Sequence, residues 1–202
     1  RALTLRPPFR SFLRLVFGLI LFGLGEALLV AAGIGVSPWT VLAEGIAKTA
    51  DLSLGITTFL ISLSVLIIWI PLRQTPGLGT LLNALIIAFM LDFSLPYLPR
   101  PEDLLLQIVL AFLGVFTTGL GGAIYLIANL GPGPRDGLMT GLQALSGHPL
   151  ALVRSVLEVM VVLAGFALGG TLGLGTLFFA FGIGPAIAFC LSVLSHLFTQ
   201  HK

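Results

Sequence analysis

The sequence predicts an all-α transmembrane protein: six spanning helices in two three-helix inverted repeats, each with an additional short re-entrant or interfacial helix. Three observations predict it. Of the 202 residues, 57% are hydrophobic and 9% are charged, at a mean hydropathy of +1.11. The apolar residues fall in long runs, not in the apolar–polar alternation of barrel strands. The chain also matches itself at an offset of 96 residues without a gap.

The charge deficit excludes whole classes of function. Soluble domains carry about a quarter charged residues. Here 10 Lys+Arg and 8 Asp+Glu cannot cover a water-facing surface, which argues against a soluble enzyme, a disordered chain and a nucleic-acid binder. A net charge of +2 defines no partner. The single cysteine, Cys190, lies in an apolar run and offers neither a disulfide framework nor a metal cluster. His148, His196 and His201 are scattered, and no serine–histidine–acid set is visible. No enzyme, metal or cofactor is expected. The expected partners are the lipid bilayer and a small-molecule solute, with a homo-oligomer left open.

Residues 1–11 read as a basic cytoplasmic segment ahead of the first span, 12–32. Basic residues before it and small residues near its end also suit a secretory signal. The repeat argues for a structural helix, because this span has a counterpart in the second half. Spans 54–72 and 79–98 complete the first repeat, 12–98. Spans 104–128, 150–168 and 175–198 form the second, 104–198. Each is close to the 20 or so residues that cross a hydrocarbon layer about 30 Å thick.

Two segments are apolar but short, 38–48 and 134–145. Each opens with proline, which tolerates a first helical turn because its missing N–H would have no partner there. Eleven helical residues rise only about 16 Å, so both are expected to re-enter the membrane or lie at its face. With six spans, Arg1, Arg6, Arg10, Arg14, Arg73, Arg135, Arg154 and Lys202 fall on one side and Lys48 and Arg100 on the other. That asymmetry places both termini in the cytoplasm. Eight spans would also be positive-inside and would make the repeats parallel.

Between Gly18/Gly114 and Leu98/Leu194, 24 of 81 pairs are identical, among them Gly25, Gly35, Pro38, Gly45, Gly79 and Thr80 with their partners. An odd number of spans per repeat inverts the second copy, the architecture of many secondary transporters, whose sites lie at the repeat interface. Candidate site residues are therefore sought where the halves differ. Glu26 faces Gly122 in the comparison, Ser62 faces Glu158, Asn83 faces Phe179, Asp92 faces Ala188, and Trp39-Thr40 faces Arg135-Asp136.

Glu26 and Glu158 lie deep in their spans, where a carboxylate is costly and normally meets a cavity or a partner. Burial penalises the charged form, so either could couple proton movement to transport. Arg154, one turn before Glu158, could instead neutralise it as an i, i+4 pair. Arg135 and Asp136 open the short helix of the second half, where Asp136 suits a cap and Arg135 an anion-favouring corner. Trp39 and Thr40 offer an aromatic wall and a hydroxyl at the matching corner. Thr80 and Thr176 are expected to cap the third and sixth spans. Asn83, one turn inside, is a candidate ligand because a buried amide needs partners. Asp92 is expected to reach water. The substrate-binding set is thus Glu26, Trp39, Thr40, Asn83, Arg135, Asp136 and Glu158.

The two Gly-Pro and Ser-Pro turns, the twin segments PGLGTLLNAL and LGLGTLFFAF, and GPRDGLM at 133–139 resemble the YitT/YczE family of bacterial multipass inner-membrane proteins. The resemblance runs from about residue 12 to 195, and its most specific parts are GPRDGLM and Pro76 to Ala84. It implies a bacterial inner membrane and draws attention to Pro38, Trp39, Asn83, Arg135 and Asp136. The expected function is proton-coupled secondary transport, or export, of a small organic solute. The competing expectations are a substrate-capture subunit of a separate ATPase and a non-transporting assembly partner.

Overall fold

A computed structural model describes residues 7–199, with side chains through Ser195. Arg1, Arg6, His201, Lys202 and the side chain of His196 lie outside the described residues, as does most of the expected basic segment 1–11. The described residues form eight helices: α1 (Phe9–Ala32), α2 (Pro38–Ala50), α3 (Leu54–Trp69), α4 (Leu78–Ser94), α5 (Leu104–Ala128), α6 (Pro134–Ser146), α7 (Leu150–Ala167) and α8 (Leu174–Thr199). A 3-10 turn, Leu95–Tyr97, extends α4.

The helix starts recur at the offset of the sequence match. Pro38 and Pro134 open α2 and α6, Leu54 and Leu150 open α3 and α7, and Leu78 and Leu174 open α4 and α8. Gly33 and Asn129 end α1 and α5 in the same left-handed conformation.

Five helices are long and apolar enough to cross a membrane: α1, α4 with its 3-10 turn, α5, α7 and α8. The expected span 54–72 is shorter than read. α3 has 16 residues and stops at Trp69, because Pro71 cannot continue a helix and Arg73 turns back at φ 53°. Sixteen residues rise only about 24 Å. Taken with α2, from which it is bent by 114°, α3 brings the count to six. α2 and α6 have 13 residues each, as short as their sequences imply.

α1 and α5 form the central pair. They approach at small residues. A Cβ on Gly25 would lie 2.4 Å from the Thr118 nitrogen and 2.7 Å from the Gly114 carbonyl, and a Cβ on Gly121 would lie 2.5 Å from the Gly18 carbonyl. Gly18 with Gly121 and Gly25 with Gly114 are the same contact made twice, with the halves exchanged. Such close approach is what small residues permit between helices in lipid, where packing and not the hydrophobic effect drives association. α4 flanks α1, α8 flanks α5, α2 packs on α7 and α3 on α6.

The halves are also tied by their backbones. The Gly79 N–H at the start of α4 donates to the Leu130 carbonyl at 2.8 Å, and the Gly175 N–H at the start of α8 donates to the Ile34 carbonyl at 2.8 Å. Thr80 and Thr176 accept from the Gly77 and Gly173 N–H groups, the capping expected of them.

Candidate functional site

A cavity of about 410 Å³ lies among all eight helices. Its lining includes five pairs of positions 96 residues apart: Trp39 and Arg135, Thr58 and Arg154, Ser62 and Glu158, Asn83 and Phe179, Ile87 and Ile183. Only the last pair keeps one residue type. The second half supplies two guanidinium groups and a carboxylate where the first supplies an indole, two hydroxyls and an amide. Asp136, Tyr125 and Met139 complete the α5–α6 wall.

Of the seven residues singled out in the sequence, Trp39, Asn83, Arg135, Asp136 and Glu158 therefore reach one cavity. Glu26 and Thr40 are not among its lining residues. They bond to each other instead, with Ser37. The Ser37 and Thr40 hydroxyls lie 2.7 and 2.8 Å from Glu26 Oε2 and 2.8 Å from each other. Glu26 is 2% exposed, and its Oε1 has no partner. A buried oxygen without a hydrogen bond is costly.

The matching corner of the second half is built from different residues. The Gly133 N–H donates to Tyr125 Oη at 3.2 Å, and the Tyr125 hydroxyl donates to Asp136 Oδ2 at 2.9 Å. Gly133 and Asp136 stand 96 residues after Ser37 and Thr40. Each corner thus holds one carboxyl beside the first turn of a short helix. In the first half a long helix supplies it, and in the second the short helix itself.

Arg135 lies between the corners. Its guanidinium carbon sits 5.4 Å from the centre of the Trp39 ring, a cation–π distance. The carboxyls whose fields act on it are Glu26, Asp136 and Glu158. Among the described residues, none accepts a hydrogen bond from it. Trp39 is held by burial at 6% exposed, yet its Nε1–H also lacks an acceptor, as does the Thr58 hydroxyl. Arg154 donates from Nε to Glu158 Oε1 at 2.9 Å, the i, i+4 pair expected of them.

Trp69, Tyr125 and Asp92 were not singled out as site residues. Trp69 is 1% exposed, donates to the Pro134 carbonyl at 2.9 Å, and fills the space beside Gly137, which fixes the start of α6. Tyr125 was visible as a difference between the halves, because Leu29 stands in its place. Asp92 does more than reach water. Its Oδ2 accepts from the Ser53 hydroxyl at 2.5 Å and its Oδ1 from the Gly55 N–H at 2.7 Å, joining α3 to α4. No grouping of His, Cys, Asp or Glu suited to a metal ion occurs among the described residues.

Residues 9–192 match a family of unknown function, DUF6198. A protein of Haemophilus influenzae described as uncharacterized is 43% identical over 183 residues, covering 91% of this chain and 84% of that one. The uncharacterized membrane protein YczE of Bacillus subtilis is 31% identical over 176 residues, covering 86% of this chain and 82% of that one. The uncharacterized protein YyaS of the same organism is 29% identical over 164 residues, covering 79% and 82%. No solved structure matches the chain.

Proposed function

This chain belongs to the DUF6198 family and is an integral membrane protein related to YczE; from that premise we propose that it is a secondary transporter of a small organic solute. The observation that carries the proposal is the lining of one cavity by five pairs of matched positions from the two halves. In transporters built from repeats, the site lies where the repeats meet, near the bilayer midplane. Its volume of about 410 Å³ falls in the range of about 300–1,000 Å³ that encloses small ligands. Capture without movement would not call for a site shared between matched halves.

In this reading the repeats are inverted and each comprises three spans, the bent pair α2–α3 counting as one and α6–α7 holding the same place in the second half. Both termini face the cytoplasm. Arg135, Asn83 and Trp39 bind the polar part of the solute, and Asp136 orients Arg135. Glu26 is the proton carrier, a carboxyl buried in α1 with the Ser37 and Thr40 hydroxyls on Oε2 and no partner on Oε1. Glu158 serves as the second titrating group, exchanging its pairing with Arg154 for one with solute or proton.

The test has two stages. A thermal-shift screen of the purified protein against metabolites, at acid and at neutral pH, identifies a solute, since a ligand for the folded state raises Tm by mass action. Liposomes carrying the protein and only a pH gradient must then accumulate that solute. Binding without gradient-driven movement would refute transport.

A further inference from the structure

α3 and α4 lie side by side, but α7 and α8, which hold the same places in the second half, make no comparable contact. The difference can be traced to residues. Gly55 sits against the Ala88 carbonyl, and Asp92 ties Ser53 and Gly55 to α4. The positions 96 residues on are Pro149, Ala151, Gly184 and Ala188. They hold no carboxylate, and a Cβ on Gly184 would meet nothing within 4 Å.

The cavity extends into this gap. Arg154 and Glu158 line it from α7, and Gly184, Ala188 and Leu191 from α8. The flanks beyond are apolar and exposed, with Val159, Met160 and Leu163 on α7 and Phe181 and Phe189 on α8. Both helices are membrane-spanning candidates, so what the gap faces is lipid. Arg154 is four residues into α7, about 6 Å along its axis, and its long side chain can hold its charge at the headgroup level. Glu158 lies one turn deeper. The gap therefore runs from the headgroup zone toward the acyl chains, the depth at which an amphiphile already lies.

The interior of the cavity favours one kind of head. The Trp39 Nε1–H and the Thr58 hydroxyl are buried without partners, and no described residue accepts a hydrogen bond from the Arg135 guanidinium, while the lining carboxylates Asp136 and Glu158 are already engaged by Tyr125 and Arg154. Trp39 is 6% exposed and Thr58 3%. Donors of this kind call for an acceptor-rich, anionic group. Ile183 and Leu191 offer an apolar bed for a tail.

We infer that the cavity is loaded sideways from the bilayer, through a portal between α7 and α8, and that its substrate is an amphiphile with a carboxylate or phosphate head and an apolar tail. This rests on the transporter reading and names the substrate class of the same site.

The test uses the full chain in phosphatidylcholine nanodiscs, with tryptophan quenching by a bromoalkanoate and a bromoalkyl phosphate. Acetate and inorganic phosphate serve as tail-less competitors. Saturable quenching is expected from one or both bromoalkyl compounds, identifying which head is preferred, and the tail-less anions should bind at least about tenfold more weakly. Arg135→Gln should weaken binding about tenfold or more, through loss of a charge-assisted contact. Ala188→Phe, which fills the portal, should do the same, and Gly184→Leu serves as a second filling variant. Phe189→Ala, on the lipid-facing flank, should leave binding within about twofold.

Tail-less anions that bind as tightly, or tight binding in both filling variants, would overturn the lateral portal and leave transport standing. Saturable amphiphile binding without pH-driven flux in liposomes would remove the transporter reading and keep the portal. Absence of saturable quenching by either bromoalkyl compound would overturn the inference. So would a spontaneous disulfide between two Gly184→Cys chains, since a second copy would then fill the gap.

Discussion

Replacing Asp92 by Ala would give the first half the residue that the second half carries at position 188. Two hydrogen bonds to a carboxylate are lost, from the Ser53 hydroxyl at 2.5 Å and the Gly55 N–H at 2.7 Å. Bonds to charged groups contribute about 1.5–3 kcal/mol each when buried. Asp92 is exposed, so screening reduces the pair to about 1–3 kcal/mol in all. At about 1.4 kcal/mol per factor of ten, the closed arrangement of α3 on α4 should become about 5- to 140-fold less favoured over an open one. The assay is maleimide labelling of Thr58→Cys in a Cys190→Ala background. Thr58 lines the cavity and is 3% exposed, so its cysteine should react slowly with Asp92 present. It should react faster by about that factor without it. Hydrogen exchange at the amides of residues 54–58 should rise in parallel. An unchanged labelling rate and unchanged exchange would show that the carboxylate does not hold the two helices together.

Four further outcomes are expected. Glu26→Gln keeps the shape beside Ser37 and Thr40 but cannot carry a proton; pH-gradient-driven flux should fall to background, with Tm within about 5 °C of the parent, and retained coupling would assign the proton elsewhere. Gly25→Leu places a side chain against the Thr118 and Gly114 backbone, which cannot rotate away, and should cost upward of about 1–3 kcal/mol, read as loss of monodisperse protein by size exclusion. Gly33→Ala is its control: no atom lies within 4 Å and only the φ of 74° is strained, so a cost of about 1 kcal/mol is expected. Trp69→Phe removes the bond to the Pro134 carbonyl and should lower stability by about 1–3 kcal/mol, seen as a lower Tm, with solute binding weakened because α6 carries Arg135.

Much of this was legible in the chain. Proline at 38 and 134 marks the helix starts because φ and the missing N–H are local properties, and the structure begins α2 and α6 there. The family resemblance read from GPRDGLM and PGLGTLLNA is borne out by the matches to DUF6198 and YczE. Comparing the halves directed attention to Trp39, Asn83, Arg135, Asp136 and Glu158, which do meet in one cavity, because positions matched by a repeat lie at equivalent places in the fold.

What escaped the sequence depends on distance along the chain. Asp92 reads as an aspartate near a helix end, and its partners are 37 and 39 residues away. Trp69 has its acceptor 65 residues away. No local pattern encodes such pairings. The depth of Glu26 and its mismatch with Gly122 point to a cavity or a partner, and periodicity cannot say that Ser37 and Thr40 fold back onto it as that partner. Pro71 signals the stop of α3 at Trp69 although the apolar run continues to residue 72.

The exchanged hydrogen bonds at the helix starts bear on how the chain comes off the ribosome. When residues up to about 98 have been made, the Gly79 N–H has no acceptor, because Leu130 does not yet exist, and the carbonyl of Ile34 waits for Gly175. The start of α4 therefore gains its acceptor only when the loop after α5 has been made, and the Ile34 carbonyl its donor only when the start of α8 has been made. Each half by itself therefore lacks the loop that the other lends to the start of its last long helix.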